Sequence, residues 1–212
     1  MLVLQFANGG NLRNYLQSKQ KDGIYKNSWA EIIRISTEIT NGLKYLHDRG
    51  TIHRDLHSKN ILMNDDKALI ADFGISKNEL EMTVTGSNIA GMPAYIEPQC
   101  LINENGKRDR KSDIYSLGVL LWELTSGVPP FHNFGTLIIV IKISKNEREK
   151  VVPNTPTNYV NLYKKCWSTD PNNRPELKDV LFELKKLAEE ETIEFITNEI
   201  NNGPEQSPMN LM

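Results

Sequence analysis

Residues Thr51 to Met63, reading Thr-Ile-His-Arg-Asp-Leu-His-Ser-Lys-Asn-Ile-Leu-Met, constrain this chain more than any other stretch. They place an acid, Asp55, and an amide, Asn60, in one polar turn closed by the apolar run Ile61-Leu62-Met63. A second apolar run, Ala68 to Ala71, follows Asn64-Asp65-Asp66-Lys67, which predicts a small hairpin carrying Asp72 at its end. The spacing therefore brings an acid, an amide and a second acid together without any long-range contact.

The flanking sequence is mostly helical. Asn11 is placed to cap a helix from Leu12 to Lys19. Ser28-Trp29-Ala30-Glu31 has the form of a capping box, and Ile32, Ile35, Ile39, Leu43 and Leu46 then recur at spacings of three and four, one apolar stripe stopped by Gly50. Ser112 is placed to cap a helix from Asp113 to Thr125, ended by Gly127 and Pro129. Further helices are predicted over Thr136 to Lys145, Tyr159 to Trp167 and Pro175 to Glu191, the last with Pro175 at its first position.

With 39% hydrophobic residues and a net charge of -2, the chain can bury a substantial core. The near-neutral balance argues against nucleic-acid binding by bulk charge. Cys100 and Cys166 lack metal-ligand spacing, so reduced thiols in cytoplasm or nucleus are expected. The most apolar stretches, Leu117 to Leu121 and Leu137 to Ile143, are too short to span a bilayer, so no membrane role is expected.

One carboxylate to orient a hydroxyl, with an amide and a second carboxylate to hold magnesium, are the parts of a phosphoryl-transfer centre. His53-Arg54-Asp55, Asn60 and Asp72-Phe73-Gly74 stand together in register, and the set resembles the catalytic loop and metal motif of eukaryotic protein kinases. The resemblance is to the large lobe. Cys166-Trp167, Asp170-Pro171 and Arg174-Pro175 lean toward the tyrosine-kinase and tyrosine-kinase-like branch, and the short Leu56-His57-Ser58-Lys59 insert leans to the latter.

The resemblance implies roles residue by residue. Asp55 would orient a protein hydroxyl, with Lys59 and His57 beside it, while Asn60 and Asp72 would hold Mg2+ and ATP would donate the phosphoryl group. The backbones of Gln5 and Ala7 would meet the adenine edge, with Leu62 as a further nucleotide contact and Leu4 as gatekeeper. His53, Arg54, Phe73 and Gly74 would be structural or regulatory. Glu79 to Ala90 reads as an exposed activation loop whose Thr83, Thr85 and Ser87 would face Arg54 once phosphorylated, or as a hydroxyl-rich linker that is never modified. Asp113 would accept bonds from the catalytic-loop backbone. Gln99, in Glu97-Pro98-Gln99, stands where the family carries a glutamate paired with an arginine, here Arg174, so a weaker clasp is expected.

The expected fold is α+β, mainly α with a small β hairpin: a kinase-like large lobe over residues 11–191, a last small-lobe strand and hinge over 1–10, and a polar, disordered tail over 192–212. The sequence has no glycine-rich phosphate loop, no strand lysine of the Val-Ala-Ile-Lys type and no partner glutamate, so weak nucleotide binding is expected. Three readings stay open: a kinase of serine or threonine rather than tyrosine hydroxyls, a pseudokinase-like scaffold that binds a partner protein, and a fragment of a longer active kinase. Pairing through the exposed first strand is a further expectation.

Overall fold

The computed structural model describes residues 7–74, 76–78, 92–102, 106, 108–190 and 192–200. Leu2 to Phe6, with Leu4 and Gln5, and the Thr83, Thr85 and Ser87 segment lie outside the described residues.

Helix α1 spans Leu12–Ser18, with the Asn11 side chain accepting the Asn14 amide and Leu12 and Leu16 facing the core. A hairpin unforeseen in the sequence follows: β1 (Gln20–Lys21) and β2 (Ile24–Ser28), joined through Asp22 and Gly23 at φ 52° and 76°. Both φ values are positive, as a two-residue type I′ turn requires.

Helix α2 spans Trp29–Asp48 and buries Ile32, Ile35, Ile39 and Leu43 of the expected stripe, while Leu46 at its end is half-buried. Ser28 caps it by accepting the Glu31 amide. The other half of the capping box is replaced: the Glu31 carboxylate accepts from the Tyr15 hydroxyl and the Arg34 guanidinium, and a charged donor outcompetes a backbone amide.

Strand β3 (Thr51–Ile52) leads to the segment His53 to Asn60, then to β4 (Ile61–Asn64) and β5 (Lys67–Ile70), paired antiparallel from Ile61↔Ile70 to Asn64↔Lys67. Strand β6 (Lys77–Asn78) returns to pair with β3. The hairpin is locked to the segment before α1, because the Gly9 amide donates to Met63 O and the Met63 amide to Gly10 O. A Cβ on Gly9 would lie 2.8 Å from Met63 O, so only glycine permits this approach.

Helix α3 (Pro98–Ile102) precedes α4 (Arg110–Ser126), which is buried from Ser112 to Ser126. A helix buried on all sides belongs at the centre of a domain, and its few polar side chains must find partners there. Its cap is Asp109 rather than Ser112: the Asp109 carboxylate accepts the Lys111 and Ser112 amides, while Ser112 returns its hydroxyl oxygen to the Asp109 amide as the third residue of a capping box. Both residues are cap-forming types, and the acid three residues before Ser112 takes the cap. Gly118 lets α6 (Thr157–Cys166) close onto α4; a Cβ there would meet Cys166 Cβ and Trp167 N at 2.7 Å.

Helix α5 spans Thr136–Ser144, and α7 spans Leu177–Glu190, burying Leu177, Val180, Leu184 and Leu187. Helix α7 starts two residues beyond Pro175, because Arg174 keeps extended backbone to reach its partners. The expected tail is corrected in part. Phe195–Glu199 forms β7, which pairs antiparallel with β2 from Ser28↔Phe195 to Ile24↔Glu199, and Ile196 is fully buried. Among the described residues, no helix is long and apolar enough to cross a membrane.

Candidate active site

The segment after β3 is held from below by Asp113, at the start of α4. Asp113 is buried and accepts the His53 amide on Oδ2 and the Arg54 amide on Oδ1, each at 2.8 Å, while His47 Nε2 lies 2.8 Å from Oδ2. Arg54 sits at φ 71° and Asp72 at φ 62°, a region that costs a non-glycine residue on the order of 1–3 kcal/mol. The two charge-assisted amide bonds from Asp113 offset the cost at Arg54.

His53 joins the loop to the hairpin. Its Nδ1 accepts the Asp55 amide at 3.3 Å, so the ring proton is on Nε2 and is donated to Ala71 O at 3.1 Å. The Phe73 ring stands 5.5 Å from the same imidazole. The Ala71 amide closes the other side by donating to Asn60 O at 2.8 Å, so the backbones bearing Asn60 and Asp72 meet across one hydrogen bond.

Asp55 keeps a side chain 21% exposed at the centre of this arrangement. Asn60 Nδ2 donates to Asp55 O at 2.9 Å and to Oδ2 at 3.3 Å, and His57 Nε2 lies 3.6 Å from Oδ1. The His57 imidazole holds the Asp55 carboxyl below the usual carboxylate range, against the opposing effect of burial. An ionised acceptor with an open approach is what a base for a hydroxyl proton requires. His57 is itself buried, its ring edge-on to Tyr95 at 5.9 Å, whereas Lys59 is exposed.

A family model for protein tyrosine and serine/threonine kinases matches residues 1–184. The chain is 34% identical over 190 residues to the serine/threonine/tyrosine-protein kinase HT1 of Arabidopsis thaliana, covering 89% of this chain and 47% of the relative. It is 38% identical over 155 residues to mitogen-activated protein kinase kinase kinase 13-B of Xenopus laevis, covering 72% and 16%. It is 30% identical over 204 residues to the tyrosine-protein kinase Abl of Drosophila melanogaster, covering 94% and 12%. The chain belongs to the eukaryotic protein kinase superfamily, on its tyrosine-kinase-like branch. It spans about half or less of the length of these kinases.

Within the kinase frame, the donors available to a cation are Asn60 and Asp72. With Nδ2 spent on Asp55, Asn60 has its hard Oδ1 to offer, and Asp72 is an exposed carboxylate whose Oδ1 accepts the Gly74 amide at 3.1 Å. Among the described residues no three His, Cys, Asp or Glu side chains gather into a cage. Two oxygen donors fit Mg2+, which keeps several waters and takes its remaining ligands from substrate phosphates. Leu62, half-buried on β4, forms a bridge with Asn11, and Ala7 is half-buried two residues before Gly9, whose amide donates to Met63 O.

The kinase glutamate–arginine clasp differs from its expected form. Glu97, not Gln99, pairs with Arg174: Nη1 lies 2.6 Å from Glu97 Oε2, and both side chains are buried. Gln99 is exposed on α3. Within Glu97-Pro98-Gln99 the pairing acid stands two residues before the glutamine, on the other side of Pro98. The clasp is a full ion pair, braced by Ser112 Oγ on Glu97 and by Arg174 Nε donating to Ser168 O.

Sequence reasoning also missed Glu123, buried in mid-α4, and its partners Arg13, Ser58 and Tyr95. The signal was present: a glutamate inside an otherwise apolar run is almost never fully buried unless paired.

Proposed function

We propose that this kinase domain transfers the γ-phosphoryl group of ATP to a serine or threonine hydroxyl of a protein substrate. The observation that carries the reading is the Asp55 carboxylate: ionised, open to an approaching hydroxyl, bonded by Asn60 on one oxygen and with the His57 imidazole 3.6 Å from the other. Asp55 would accept the hydroxyl hydrogen bond, and then its proton, as the oxygen attacks. Asn60 and Asp72 would hold Mg2+, which when bound neutralises charge on the phosphates. Asp113 and His53 would keep these groups in register, supplying the positioning on which phosphoryl transfer depends.

The test is incubation with γ-labelled ATP, magnesium and a panel of protein acceptors, followed by phosphoamino-acid analysis. Label on serine or threonine is the expected result. Label confined to tyrosine overturns the acceptor assignment. No label, together with no rise in melting temperature on adding magnesium-ATP, overturns the reading in favour of a partner-binding module.

A further inference from the structure

Arg13 lies on α1 between the core residues Leu12 and Leu16, with its side chain only 11% exposed. A guanidinium taken out of water is costly unless every face finds a partner. Its Nε donates to Ser58 Oγ at 2.9 Å, its Nη2 donates to the Tyr95 hydroxyl at 2.8 Å, and Nη2 lies 3.3 Å from Glu123 Oε1. Glu123 completes the ring, accepting from Ser58 Oγ at 2.8 Å on Oε1 and from the Tyr95 hydroxyl on Oε2. Burial pushes its carboxyl above the usual range, and Arg13 is the cation that opposes this.

The four residues come from four places in the chain. Ser58 belongs to the turn between Asp55 and Asn60, Tyr95 to the segment between Met92 and Glu97, Glu123 to central α4, and Arg13 to the helix that follows the hairpin-locked Gly9 and Gly10. Asp55, Leu56, Met92 and Tyr95 line one small cavity, so the Ser58 and Tyr95 segments form facing walls beside the candidate base. We propose that Arg13 is a positioning residue for the acceptor side of the active site, its fork holding the Ser58 turn and the Tyr95 segment on a single carboxylate. The inference rests on the phosphotransfer reading for its catalytic consequence, and on these contacts alone for its structural one. Lysine cannot substitute, because one ammonium cannot reach a serine, a tyrosine and a carboxylate in the planar geometry of the guanidinium.

Hydrogen exchange and steady-state kinetics on Arg13→Met and Arg13→Lys test this. Both variants are expected to speed amide exchange in residues 54–60 and 92–97 together, leaving α6 and the β4–β5 hairpin as in the wild type. Both should lower kcat with a protein acceptor about tenfold, the scale of one buried charge-assisted bond, with KM for ATP unchanged. In Tyr95→Phe the Arg13→Met effect on kcat should shrink, since the two changes break one network. Unchanged exchange in both segments overturns the proposal, as does full rescue by lysine or faster exchange throughout α4 and α6. If the wild type transfers no label, the phosphotransfer reading fails, and the exchange pattern still decides whether Arg13 couples the two walls.

Discussion

Among single residues, buried charges with named partners should be the least tolerant of substitution. Glu97→Gln leaves Arg174 uncompensated in the interior, so it should destabilise the fold by about 3–5 kcal/mol, whereas exposed Gln99→Ala should stay within about 0.5 kcal/mol. Urea denaturation of both variants checks this, and equal costs would restore the sequence-based pairing. Asp55 supplies a pH prediction. Its carboxyl is depressed in the folded state by His57, so the ionised form contributes stability above the ordinary carboxylate range, lost as pH falls through the depressed value. Replacing His57 with glutamine removes the main cause of depression and should move the acid limb of kcat/KM to higher pH. An acid limb that stays in place would show that His57 does not set the charge on Asp55.

At the scale of elements, α2, the β4–β5 hairpin and α7 were legible because each carries its own period: a stripe at three and four, an apolar pair around Asp65-Asp66, and leucines facing one side. The β1–β2 hairpin carries a turn signal in Asp22-Gly23, but its mostly polar strands offer no apolar alternation beside it. Strand β7 carried almost none. Five residues rich in polar groups become a strand only because β2 offers an edge, Asn198 Nδ2 reaches Ser126 O at 2.8 Å, and Ile196 enters the core. Ile196→Ala should therefore cost about 2–5 kcal/mol, as for a core isoleucine, and a cost near zero by thermal or urea unfolding would make β7 a dispensable tail.

At the scale of the whole molecule, one design recurs: chemistry-bearing loops hang from α4, the most buried helix. Its start holds the His53 and Arg54 amides through Asp113, its middle holds Ser58 and Tyr95 through Glu123, and Gly118 lets α6 seat against its other side. The residue types of the candidate site were legible in the sequence because the hairpin brings Asn60 and Asp72 together locally. Asp113 was legible as a support through the resemblance; the Arg13–Tyr95–Glu123 network and the Glu97–Arg174 pair were not, because their members meet only through tertiary packing, which no short spacing encodes. Phosphoryl transfer by this scaffold requires that it present Asp55 to a substrate hydroxyl. The most direct measurement is the initial rate of γ-phosphoryl transfer from magnesium-ATP to a protein acceptor by the wild type and by Asp55→Asn. A loss of about 10²–10⁴-fold, with nucleotide-induced thermal stabilisation retained, is the predicted result, and equal rates in the two proteins would contradict the account.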